Sequence, residues 1–146
     1  MGKGERQGAS RCRVVSEVHD INVRTTALLG FDLRDQIATS KRLATEAAEA
    51  RALAEHMEHL RKVVLSDEIL SAHRQARATG SKLTAPEAEA LARTSPAYKV
   101  HLDGLQEAQR DRGVLYARAS AAAQAVDLGF RQLSFLQTEL KAGGGG

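Results

Sequence analysis

The 146-residue chain has one cysteine, two prolines and no tryptophan. A lone Cys12 excludes an internal disulfide framework, and no His or Asn is placed to serve it as a catalytic thiol. It fits a reducing compartment, so a cytoplasmic protein is expected. Aromatic residues make up only 3% of the chain: Phe31, Tyr98, Tyr116, Phe130 and Phe135. A core without aromatics must be built from Leu, Val, Ile and Ala, which suits thin helix-on-helix seams better than a thick interior. No apolar run approaches the ~18 residues of a membrane span. Nor does an apolar stretch follow "MGKGERQGAS", so neither a membrane partner nor a secretory signal is expected.

Charge of one sign is also scarce. The net charge is +3, and most of the surplus lies near the N-terminus, at Lys3, Arg6, Arg11 and Arg13. These four are the candidate nucleic-acid contacts, because basic side chains can neutralise backbone phosphates. They form a sparse patch rather than a basic arm, and solvated charge is the plainer reading. A base-stacking platform needs several aromatics on one surface, whereas three of the five here fall on a helical seam. Nucleic-acid binding is therefore expected to be weak and salt-sensitive.

What the chain does have is helical spacing along most of its length, with no sustained strand alternation. Residues 1–10, with three Gly and scattered charge, read as a flexible lead-in. Ser10 can cap a helix carrying Val14, Val18, Ile21, Thr25 and Leu28 on one face. "LLGFD" marks a bend or break at Gly30, with Asp32 able to start the next helix; a curved, continuous helix is the alternative. From Leu33 a long helix is expected, with Leu43, Ala47, Ala50, Ala54, Met57, Arg61 and Val64 alternating steps of four and three. Leu53 and Leu60 widen that stripe, and Gly80 is placed to end the helix. In "LTAPEAEALARTSP", Thr84 and Glu87 form a capping box with Pro86 in the first turn. A short helix to about Arg93 follows, and Ser95 with Pro96 opens the last one.

That last helix runs without a proline to Leu140. Tyr98, Leu102, Leu105, Gln109, Arg112, Tyr116, Ala119, Ala123, Val126, Phe130, Leu133 and Gln137 step by four and three throughout, the pattern of a supercoiled seam. Gln109 and Arg112 interrupt it as register-setting polar residues. A connection centred near residue 88 would place Met57 opposite Ala119, and Arg61 level with Arg112. Arg61, Gln109, Arg112 and the apolar flank at Phe135 are the candidate register or interface residues. The tail "KAGGGG" is expected to leave the helix, with 142–146 disordered. The expected fold is all-α: a long antiparallel, coiled-coil-like helical hairpin with an N-terminal helix and a short helix in the connection, a single helical domain over 11–141.

Chemistry is hard to find. His56 and His59 in "AEHMEH" share a face with Glu55 and Glu58, a spacing that can hold a metal. A di-metal bundle needs a second such motif facing inward, and none is present. No Gly-x-Ser-x-Gly, Ser-x-x-Lys or phosphate-cradling glycine loop occurs. No enzyme activity, cofactor or metal is expected.

"RATGSKLTAPEAEALA", "YKVHLDGLQEAQ" and "AVDLGFRQLSFLQTEL" together, over about residues 45–140, resemble a group of small helical proteins of tailed bacteriophages and prophages. The resemblance implies a phage setting; some of that group are suspected accessories of DNA replication or recombination. The expected function is a non-enzymatic interaction protein, a self-assembling adaptor working through its helical faces as a homo-oligomer. A DNA-binding accessory, or an inhibitor or chaperone docking on a partner protein, are the other readings.

Overall fold

The computed structural model describes residues 29–143, together with Arg24, Thr26 and Ala27. These are helical apart from short connections, and no strand occurs among them. Three helices follow in order: α1 (Leu33–Ala78), α2 (Ala85–Thr94) and α3 (Pro96–Gly143). At 1.5 Å per residue α1 and α3 are each roughly 70 Å long. The 1–10 lead-in, Cys12, the stripe at Val14, Val18, Ile21, Thr25 and Leu28, and the glycines after 143 lie outside the described residues.

Local chemistry accounts for the boundaries. Gly30 adopts φ +72°, and its N–H donates to the Thr26 carbonyl (2.9 Å), ending the preceding helical turn. Asp32 then caps α1: its Oδ1 accepts from the N–H groups of Arg34 (2.9 Å) and Asp35 (3.3 Å), satisfying donors that a helix start leaves free. At the other end Gly80 has φ +74°. The Gly80 N–H reaches Arg77 O (3.1 Å) and the Ser81 N–H reaches Ala76 O (2.9 Å), the paired bonds of a Schellman cap. The expected break at Gly30 and stop at Gly80 are both present.

Thr84 begins α2 as the capping box requires. Glu87 Oε2 accepts from the Thr84 N–H (2.8 Å) and hydroxyl (2.7 Å), and those two bonds hold the Glu87 carboxyl below its ordinary pKa, the backbone bond contributing most. Ser95 Oγ accepts from the Tyr98 N–H (3.1 Å), and α3 starts at Pro96. Helix α3 runs on through Ala142 and Gly143. The first two residues of the stretch expected to be disordered are therefore helical, since a helix can carry a terminal glycine at a modest entropic cost.

The chain divides into two units, one of residues Ala44–Arg118 and one joining the chain up to Leu43 to the segment from Ala119. In the first, the buried side chains are mostly alanines: Ala54, Ala76, Ala88, Ala92 and Ala108, with Tyr98 and Leu105. A Cβ placed on Gly104 would stand 3.1 Å from the Met57 methyl, and the His101 ring Nε2 lies 2.9 Å from Met57 O. Met57 thus faces Gly104 rather than Ala119. The reason lies in α2. Glu68, Ala72 and Ala76 of α1 share a cavity with Leu83, with Leu91 and Ala92 of α2 and with Pro96, where α3 begins, so α2 packs on the last turns of α1. In the second unit, Leu33 is buried and closes on Gly129, whose Cβ would stand 2.9 Å from Leu33 Cδ1 and 3.3 Å from Phe31 Cζ.

Candidate interaction surface

The stripe expected on α1 is the inward one: Ala47, Ala50, Met57, Arg61 and Val64 are half-buried and Ala54 is buried. On α3 only one of the two expected rails is inward. Tyr98, Leu102, Leu105, Ala119, Val126 and Leu133 are buried or half-buried as read, but from Gln109 on the other rail is exposed, at Gln109, Tyr116, Ala123, Phe130 and Gln137. The second rail is one residue earlier, at Ala108, Leu115, Ala122, Gly129 and Leu136. Close helix approach selects small residues there, and the larger Tyr116 and Phe130 are displaced to the flank, 72% and 51% exposed.

Gln109 therefore does not interrupt the seam; it lies beside it. Arg112 does fall on the seam's phase but is exposed. It adds a small favourable charge to Glu55, whose carboxyl is held below its usual range first by the hydrogen bond and charge of Arg51 at 2.7 Å. Arg61 is not level with Arg112; it bonds Glu58 on its own helix at 2.9 Å. Its Nε is buried without a partner, and the head group leans toward water. Phe135 is 63% exposed. Lys3, Arg6, Arg11 and Arg13 lie outside the described residues.

Many large apolar side chains lie on the surface, with Leu33, Tyr98 and Leu105 the buried ones among the described residues. In the 44–118 unit Leu53, Val63, Leu70, Val100 and Val114 are exposed; in the other, Leu128, Phe130, Phe135 and Leu140 are. No large side chain among the described residues is completely enclosed. Leu53, Leu60, Val63 and Leu70 make a second stripe on α1, separate from the inward one. The 3-4 spacing that reveals it was visible in the sequence, where Leu53 and Leu60 read as a widening of the core.

Beside Leu53 lies an open cavity of about 290 Å³, floored by Ala50, Ala108 and Leu115 and rimmed by Glu46, Glu49 and Asp111. The larger cavity between α1 and α2, about 470 Å³, has Glu68 as its one ionisable lining residue. His56 and His59 are exposed, and no group of three or more metal-ligating side chains occurs among the described residues. The contact that sequence reasoning missed is His101: it is half-buried and its Nε2–H donates to the Met57 carbonyl across the helix pair. No helix among the described residues is long and apolar enough to cross a membrane.

No family model, curated protein or solved structure matches the chain.

Proposed function

We propose that the chain is a non-enzymatic helical interaction protein, a self-assembling adaptor built on a long antiparallel helical hairpin. The observation that carries this reading is the inversion of burial. Alanines make up most of the buried positions, beside Leu33, Tyr98 and Leu105, while Leu53, Val63, Leu70, Val100 and Val114 face outward from one unit. Exposed apolar area on that scale marks a surface that another protein covers. Support for the hairpin comes from the contacts: Met57 meets His101 and Gly104, whereas Leu53 and Ala50 share a cavity with Ala108 and Leu115. Position falls along α1 as it rises along α3. The resemblance to small helical phage proteins supports a phage setting.

Self-assembly makes the folded state concentration-dependent, because association stabilises the native form by mass action. The test is thermal unfolding followed by circular dichroism at 222 nm across a hundredfold range of protein concentration. A midpoint that climbs with concentration is expected. A constant midpoint would direct the surface to a different protein partner and remove self-assembly from the reading.

A further inference from the structure

The outward stripe of α1 reads alike from either end. Its centre is the peptide bond between Arg61 and Lys62, with Leu60 and Val63 flanking it. One step out on each side stand His56 and Asp67, then Leu53 and Leu70, then Glu49 and Arg74, then Glu46 and Arg77. Apolar positions mirror apolar positions, and an acidic position always mirrors a basic or imidazole one. Most of the stripe faces outward: Leu53 is 54% exposed, Val63 53% and Leu70 58%, and His56, Asp67, Glu49, Arg74 and Arg77 are exposed too, while Leu60 and Glu46 are half-buried.

We propose that this stripe is an isologous interface, occupied by α1 of a second copy running antiparallel across a two-fold axis at Arg61–Lys62. The proposal rests on the self-assembly reading and names its surface, register and contacts. A two-fold places each residue opposite its mirror position. Leu60 then packs on Val63 of the second copy, and Leu53 on Leu70. His56 faces Asp67 and Glu49 faces Arg74, each contact made twice. Positions at the two alternating steps of the stripe pair with each other, as antiparallel coiled helices require.

Charge complementarity selects a second copy over an unrelated helix. Within one chain Glu49 and Arg74 are ~38 Å apart along the helix axis and cannot meet. Across the axis they can. The acid-rimmed cavity at Glu46, Glu49 and Asp111 supplies the same argument in three dimensions: its rim lies where Arg74 and Arg77 of the second copy arrive. From Glu46 to Arg77 the contact is ~47 Å long, and Val100 and Val114 are further exposed apolar groups of the same unit.

The register has a specific test in charge swaps at surface positions that leave the hairpin contacts alone. Glu49→Arg sets Arg against Arg74 of the second copy at both ends; Arg74→Glu sets Glu against Glu49. Each variant alone is expected to weaken dimerisation roughly tenfold, the scale of two exposed ion pairs made repulsive. A mixture of the two restores both attractive pairs, so a heterodimer forms at the wild-type affinity. Sedimentation velocity reads this, with one variant labelled at Cys12, the single thiol, and the other titrated in unlabelled. Circular dichroism confirms that each variant stays helical. Weakened single variants that fail to restore dimerisation on mixing overturn the antiparallel register. A wild-type dimer indifferent to both substitutions overturns this interface while leaving self-assembly standing. A monomeric wild type at every concentration overturns both.

Discussion

Gly113 and Gly129 are two glycines of one helix that answer differently to an added methyl group. Nothing lies within 4 Å of a Cβ at Gly113, so Gly113→Ala gains helix propensity without a clash. It should raise stability by about 0.5–1 kcal/mol in urea unfolding. Gly129 is buried, and its Cβ would press on both Leu33 and Phe31. Gly129→Ala should therefore lose that gain and lower the midpoint, because two packed side chains must shift to admit it. Glu87 gives a pH-dependent prediction. Its carboxyl is held below the ordinary value by Thr84, so its contribution is complete above the unfolded carboxylate pKa and fades as pH falls through the folded one. The stability gap between wild type and Glu87→Gln should be widest near neutrality and close between about pH 5 and about pH 3; a gap unchanged across that window would contradict the capping box. The capping pair itself was legible in the sequence, since it depends on residues three apart. The His101–Met57 bond was not, because it joins helices 44 positions apart.

At the scale of elements, boundaries were legible and the phase of α3 was not. Asp32, Gly80, Thr84 and Ser95 act through local backbone bonds, so each helix start or stop can be read from a few neighbours. Gly80→Ala tests this directly: a Cβ at φ +74° should cost about 1–2 kcal/mol and loosen the connection between α1 and α2. The inward rail of α3 escaped the reading for a different reason. Hydrophobicity favours Tyr116 over Leu115 and Phe130 over Gly129, whereas the seam selects residues small enough for two backbones to approach. Both phases share the rail through Leu105 and Ala119, so the sequence pattern alone is degenerate between them. Ion pairs do not decide it either. Arg93–Glu89 and Arg131–Asp127 join turns of a single helix at the surface, where such pairs contribute little.

For the whole molecule, the register was the hardest feature to read. A connection taken as symmetric about residue 88 ignores that α2 packs on the last turns of α1, and Met57 stands beside Gly104 rather than Ala119. The consequence is a protein whose buried positions are mostly alanine and which leaves many of its larger apolar groups facing outward. Replacing Leu60, beside the proposed axis, with Lys should leave the helical content of the chain intact and remove its association. The central claim is that this chain assembles with itself through those outward faces. Sedimentation equilibrium of the full chain, from about 1 µM to about 100 µM at near-physiological salt, tests it most directly. A mass that rises to twice the monomer's 15.7 kDa is the expected result; a single monomeric species across the whole range would contradict the account.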